Sequence, residues 1–71
     1  MKVIFDPETD TLCIILIDET TSESDEIREG VIIDYSKDKK IVSIEIMDAS
    51  EHIAEPQSIL YELKSKTKAI T

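Results

Sequence analysis

The residues that could do chemistry in this sequence are few, and the clearest pair is Asp48 with His52. The two are four positions apart, so on a helix they share a face, where a carboxylate and an imidazole can form an acid–base pair or half of a metal site. The alternative is structural: Asp48 caps the helix, with Glu51 as its capping-box partner, and His52 lies exposed in the first turn. We favour the cap, because an active site needs more convergent groups.

A second candidate pair is Asp34 with Glu45. Both lie in segments that alternate apolar and polar residues, as the strands of a hairpin do. Two carboxylates facing each other across paired strands can carry out general acid–base chemistry. A chain this short shows no sign of a pocket, however, so an exposed acidic sheet face is the favoured interpretation.

The remaining chemical groups favour structural roles. Cys13 is the only cysteine and lies in an apolar stretch, where a free thiol packs as a small hydrophobe. No phosphate-binding loop, dinucleotide fingerprint or nucleophile elbow is present. Asp6, Asp10 and Asp18 lack the spacing and the glycine of a calcium loop. We therefore predict no catalytic residue, no cofactor and no bound metal.

The length of the chain limits how it can be stabilised. With 71 residues it forms a single domain, residues 1–71, whose core must be thin. One cysteine and one histidine leave neither a disulfide nor a structural zinc site. Oligomerisation is the common remedy that remains, and a homodimer is predicted.

The charge of the chain restricts its partners. Sixteen acidic and eight basic residues give a net charge of −8, which disfavours direct binding to nucleic acid or anionic membranes and favours a basic protein partner. The alternative is that the acidic residues only keep the surface solvated. The start of the sequence has no export-signal pattern, so a cytoplasmic location is expected.

The elements that must position these residues begin with a hairpin. Residues 2–5 and 12–17 have the composition of strands. Between them, Asp6 is placed to accept backbone N–H bonds and Pro7 presets the turn. The strand 12–17 is apolar on both sides, and one helix can cover only one of them. The uncovered side is the predicted interface with another copy or another protein, and it carries Cys13, Ile15 and Ile17.

The second half of the sequence predicts another hairpin and a helix. The acidic residues 18–29 form a loop with a short edge strand near 25–28, and Gly30 supplies a backbone angle that other residues resist. Residues 31–35 and 41–47 form the hairpin. A short helix follows from Asp48, and a second starts at Pro56 with an apolar stripe at Ile59, Leu60 and Leu63. Residues 66–71 form a frayed tail.

The expected fold class is therefore α+β: a small antiparallel sheet of two β-hairpins, with about four strands, packed against a C-terminal helix. Three segments also carry a resemblance to a known family: KVIFDPETDTLCIIL, SESDEI and GVIIDYSKDKKIVSIEIMDAS. Over about residues 1–50 the chain resembles the YuzE-like small bacterial domains, a family of unknown function. The resemblance implies an α+β fold and no established activity.

Some members of that family appear beside a small ribonuclease-like toxin and are interpreted as its antitoxin. The resemblance therefore adds one specific role to the acidic charge: neutralising a basic nuclease. Our first functional hypothesis is a self-associating acidic protein-interaction module, antitoxin-like and not an enzyme. The alternative is a small enzyme or metal-binding domain that uses Asp34, Glu45, Asp48 and His52.

Overall fold

A five-stranded antiparallel sheet makes up most of the fold in the computed structural model, which describes residues 1–65. The strands lie in the order β1-β2-β5-β4-β3, so the pairing of β2 with β5 joins the two hairpins into one sheet. The described helix, α1, is a single turn. The bounds are β1 (Lys2–Asp6), β2 (Thr11–Ile15), β3 (Glu23–Arg28), β4 (Val31–Tyr35), β5 (Ile41–Ile46) and α1 (Ala49–His52).

The first hairpin, β1–β2, closes through the turn at Asp6 and Pro7. Oδ1 of Asp6 accepts the backbone N–H of Glu8 at 3.0 Å, the geometry of an Asx-turn. Lys2 pairs with Ile15 at the far end of the hairpin. The predicted hairpin is confirmed, although its second strand ends at Ile15, two residues earlier than predicted.

Gly30 lies in the tight turn between the edge strand β3 and β4. Its φ of 82° falls in the left-handed region that residues with a Cβ avoid. Its carbonyl accepts the N–H of Met47 at 2.8 Å, which holds the turn against the end of β5. The second hairpin, β4–β5, and the edge strand are both confirmed, and the edge strand begins at Glu23, earlier than predicted.

The sheet has two different faces, because residues paired across antiparallel strands point to the same side. We call them the apolar face and the mixed face. The apolar face carries Val3, Phe5, Leu12, Ile14, Val31, Ile33, Ile44 and Ile46. The mixed face carries Ile4, Cys13, Ile15, Ser24, Ile32, Asp34, Ser43 and Glu45.

Neither face is covered by a second layer within residues 1–65. Only Leu12, Val42 and Ala49 are buried apolar residues in this part of the chain. A sheet on its own exposes apolar side chains that a packed helix would normally cover. The fold therefore has the thin core that the chain length predicts.

The predicted second helix, starting at Pro56, is wrong for the described residues. Positions 54–65 contain neither helix nor strand, and the expected packing of a C-terminal helix on the sheet is absent there. The side chains of the predicted stripe are exposed: Ile59, Leu60 and Leu63. A short amphipathic segment gains helical stability mainly from packing its apolar side, and here the side chains of that side are largely exposed. The predicted tail, residues 66–71, lies outside the described residues.

No helix in residues 1–65 is long and apolar enough to cross a bilayer.

Candidate functional site

The strand register brings four polar residues together on the mixed face. Ser24 of β3 lies opposite Asp34 of β4, and Asp34 lies opposite Ser43 of β5. Glu45, two residues after Ser43, points to the same side and lies diagonal to Asp34. We refer to Ser24, Asp34, Ser43 and Glu45 as the carboxylate cluster. It spans three adjacent strands.

Asp34 is the centre of the carboxylate cluster. Only 4% of its surface is exposed, and a buried carboxylate needs hydrogen bonds to offset its lost hydration. The hydroxyl of Ser24 donates to Oδ1 at 2.5 Å, and the hydroxyl of Ser43 donates to Oδ2 at 2.7 Å. Both carboxylate oxygens therefore have a donor, and no buried side-chain N or O atom in residues 1–65 lacks a partner.

The two carboxyl groups of the cluster have pKa values that move in opposite directions. Burial is the largest single effect on Asp34 and opposes its charge. Hydrogen bonds from Glu45, Ser24 and Ser43 together outweigh it and lower the pKa of Asp34. The hydrogen bond to Asp34, then burial, then the negative charge of Asp34 raise the pKa of Glu45. The two shifts have opposite directions, so Glu45 gives up its proton at a higher pH than an ordinary glutamate, and Asp34 keeps its charge to a lower pH than an ordinary aspartate.

Cys13 lies on β2 directly opposite Glu45. Burial, followed by the negative charges of Glu45 and Asp34, raises the pKa of its thiol. A raised pKa keeps the sulfur protonated and a poor nucleophile. This environment agrees with a packing role for Cys13 and does not activate it.

A concavity of about 490 Å³ opens on the mixed face. Its acidic lining residues are Asp34 and Glu45 of the sheet and Asp18 and Glu19 of the β2–β3 loop. Apolar side chains contribute to its wall, and they include the predicted interface residues Cys13, Ile15 and Ile17. The concavity thus combines an apolar surface with carboxylates, a composition suited to a long basic side chain.

The acidic groups of this concavity are mostly not neutralised by the protein's own cations. The described part of the chain contains three ion pairs, all made by the exposed Lys39 and Lys40. Only the contact of Lys40 with Glu19, at 3.7 Å, involves a residue of the concavity. Asp18, Asp34 and Glu45 make no ion pair within residues 1–65, which leaves the concavity net negative.

The structure divides the four residues of the enzyme or metal alternative between two places. Asp34 and Glu45 meet in the carboxylate cluster. Asp48 and His52 line a separate concavity beside Gly30. Residues 1–65 contain no group of three or more His, Cys, Asp or Glu side chains that could hold a metal ion. The four residues therefore do not converge on one reacting atom.

The predicted capping role of Asp48 is wrong. Asp48 occupies the N-cap position of α1 with φ 51° and ψ 48°, and its side chain makes no capping hydrogen bond. The carboxylate of Asp10, in the β1–β2 turn, performs that role instead. It accepts the N–H of Ser50 at 3.1 Å and the hydroxyl of Ser50 at 2.6 Å. A left-handed cap residue points its side chain away from the first N–H groups, since a normal N-cap is extended.

Sequence reasoning missed Ser24, Ser43 and Asp10. Strand alternation in β5 indicates only that Ser43 faces the same side as Glu45, and Ser24 lies in a segment predicted to be largely loop. The alternation of β5 placed Ser43 on the side away from Val42 and Ile44. That polar position opposite an aspartate was the one signal that could have indicated the hydrogen bond.

Comparison with known proteins now adds a family. A family model described as "Protein of unknown function (DUF2283)" matches residues 2–50. The chain belongs to this family. No curated protein and no solved structure matches it. The match confirms the resemblance seen in the sequence. It contains the five strands and the whole carboxylate cluster, and it ends before residues 51–65.

Proposed function

We propose that this protein is a non-enzymatic, acidic protein-interaction module that self-associates and binds a basic protein in the cytoplasm. The observation that carries the proposal is the concavity of the mixed face. It places the carboxylates of Asp18, Asp34 and Glu45 beside the apolar side chains of Ile15 and Ile17.

A lysine or arginine of the partner fits this combination. Its methylene stem packs against Ile15 and Ile17 while its charged end reaches the carboxylates. Such a cation also lowers the raised pKa of Glu45, because a nearby positive charge favours the ionised carboxyl. Binding and deprotonation of Glu45 are then coupled.

The net charge of −8 supports the same partner class. An acidic surface speeds its encounter with a basic protein and disfavours binding to phosphate backbones. Within the proposal, the specific partner is a basic ribonuclease-like toxin whose cationic RNA-binding surface is covered by the mixed face. The role is then that of an antitoxin.

Self-association is the second part of the proposal. The described residues bury three apolar side chains, while ten large apolar side chains are exposed. A domain of this size usually needs further burial to be stable. A second copy can supply it.

The test is a pull-down from the native host at low salt, followed by mass spectrometry. We expect a stoichiometric partner with a basic isoelectric point that is released as salt rises. The double variant Asp18→Asn, Glu19→Gln should lose most of the captured partner, because it removes two exposed charges of the concavity and leaves the carboxylate cluster intact.

The matched control is Glu8→Gln with Glu51→Gln, which removes the same charge from exposed positions outside this concavity. Equal loss of capture in both double variants would show that only net charge matters. Absence of a stoichiometric basic partner at low salt would refute the binding half of the proposal.

A further inference from the structure

Residues 57–64, which we call the C-terminal arm, hold four of the five most exposed large apolar side chains of the described chain. Four of them, Ile59, Leu60, Tyr61 and Leu63, are between 67% and 86% exposed. Large apolar side chains grouped this closely on a surface mark a contact site. The arm follows α1, has no regular structure of its own and lies outside the family match.

The arm does not fold back on its own sheet. The radius of gyration is 15.0 Å, whereas a compact chain of this length has about 11 Å. The longest dimension is 46 Å, well beyond the roughly 20 Å that strands of five or six residues span. The arm therefore projects from the sheet, where another molecule can reach it.

The arm has the side-chain pattern of a strand. Ile59, Tyr61 and Leu63 occupy alternate positions, and Glu62 and Lys64 alternate with them. In an extended chain this places the three apolar residues on one side. An extended segment with unpaired backbone can add to the free edge of a sheet.

The edge strand β3 offers such an edge. All six of its residues are exposed, and it pairs on one side only, with β4. Ile27, at the irregularity between Glu26 and Arg28, is a large apolar residue exposed on it. Acidic residues along this edge prevent two β3 strands from pairing with each other. They do not prevent pairing with a basic segment.

Charge complementarity identifies which segment fits β3. Residues 18–29 contain six acidic residues and one basic residue, Arg28. Residues 57–71 contain one acidic residue, Glu62, and three lysines, at positions 64, 66 and 68. Asp25 and Glu29 make no ion pair within residues 1–65. The acidic edge of one chain thus matches the basic end of another.

The extent of the contact agrees with a stable dimer. A standard interface takes about 20–30 residues from each partner. A reciprocal exchange uses the arm and the β3 edge of each chain, together with neighbouring residues of the β2–β3 loop. Eight extended residues span about 26 Å, enough to run along the six residues of β3.

From these observations we propose that the C-terminal arm of one chain lies along β3 of a second copy, and that the second copy returns the same contact. The exchange is isologous, as in a two-fold symmetric dimer. Ile59, Tyr61 and Leu63 cover apolar surface of the partner copy, and Lys64 meets the acidic edge. The inference rests on the self-association part of the proposed function and identifies the contact through which the two copies associate.

The test is a charge swap on the full-length chain, with the dimer dissociation constant measured by analytical ultracentrifugation. The first variant is Lys64→Glu with Lys66→Glu, and the second is Asp25→Lys with Glu29→Lys. Each variant alone places like charges at both arm contacts, so we expect about tenfold weaker dimerisation or more. An equimolar mixture places opposite charges at both contacts and should restore a heterodimer.

The control is Lys2→Glu with Lys37→Glu, which makes the same change in net charge as the first variant, at exposed positions outside the arm and β3. It should leave the dissociation constant near the wild-type value. If neither charge-swap variant changes the dimer dissociation constant, or if the mixture does not form a heterodimer, the arm contact is wrong. Self-association itself would still hold. A wild-type chain that stays monomeric at all concentrations would overturn both.

Discussion

The hydroxyl of Ser43 donates to Oδ2 of Asp34 at 2.7 Å and links the neighbouring strands β5 and β4 through buried side chains. Ser24 makes the equivalent contact to Oδ1 from the edge strand β3. One carboxylate therefore connects three strands of a sheet that has no covering layer within residues 1–65. Each such hydrogen bond contributes about 0.5–1.5 kcal/mol to stability, which matters in a protein with few buried apolar residues.

The first prediction concerns the loss of this acceptor. Asp34→Ala leaves the hydroxyls of Ser24 and Ser43 without their partner, and a buried unsatisfied polar group costs about 1–3 kcal/mol. We expect Asp34→Ala to lower the free energy of unfolding by about 2–3 kcal/mol, and Ser24→Ala by about 1 kcal/mol. Urea denaturation measures both. An Asp34→Ala variant as stable as an exposed Glu8→Ala control would mean that the cluster does not stabilise the sheet.

The second prediction concerns the pH dependence created by Glu45. The folded-state pKa of Glu45 is raised, chiefly by its hydrogen bond to Asp34. Its contribution to stability is therefore present below its ordinary pKa and is lost as the pH rises through the raised pKa. Glu45→Gln keeps a hydrogen-bond donor for Asp34 and cannot ionise. The variant should match wild type in acid and become the more stable protein as the pH rises to neutrality.

The measurement is the urea midpoint of both proteins between about pH 4 and about pH 8. The pH dependence from Asp34 runs in the opposite direction. Because the folded-state pKa of Asp34 is lowered, its contribution to stability is present above its ordinary pKa and is lost as the pH falls through the folded-state pKa. The stability difference between Asp34→Asn and wild type should therefore become smaller as the pH falls. A stability difference between Glu45→Gln and wild type that stays constant with pH would contradict the raised pKa of Glu45.

The third prediction concerns the thiol of Cys13. Burial first, and then the charges of Glu45 and Asp34, raise its pKa, so its reaction with iodoacetamide near neutral pH should be slower than that of the unfolded chain. Glu45→Gln removes one of these charges and should speed the reaction a few-fold. Because burial is the larger cause, the variant should still react more slowly than the chain in urea. A folded protein that reacts as fast as the unfolded one would show that the thiol is neither buried nor electrostatically protected.

Local patterns in the sequence predicted much of the sheet. Alternation in residues 41–46 and the turn residues Asp6 and Pro7 identify hairpins, because strand periodicity and turn geometry depend on near neighbours. The same patterns could not show that β2 pairs with β5, since pairing between hairpins depends on contacts distant in sequence. Ser24 and Asp34 are ten residues apart, and their hydrogen bond requires a register that only the folded sheet provides.

The C-terminal arm was mispredicted because its apolar residues fit two periods. Ile59, Leu60 and Leu63 match a helical face, and Ile59, Tyr61 and Leu63 match one side of a strand. A short segment adopts the conformation in which its apolar side packs on another surface, and the sheet of the same chain supplies no such surface for the arm. Because its apolar residues fit both periods, the sequence of the arm does not predict its conformation in a single chain. The strand-like alternation is the pattern on which the proposed contact with a second copy depends.

The last prediction tests the capping of α1 by the distant Asp10. Asp10 and Asp48 both have left-handed backbone angles, with φ of 55° and 51°. Glycine at either position therefore relieves the same strain and adds the same freedom to the unfolded chain. Only Asp10→Gly also removes the carboxylate that accepts two hydrogen bonds from Ser50.

We expect Asp10→Gly to be less stable than Asp48→Gly by about 1 kcal/mol in urea denaturation. If Asp48→Gly is the less stable variant, the side chain of Asp48 has the capping role that its sequence position suggests, and the contact between the β1–β2 turn and α1 is not what holds the helix.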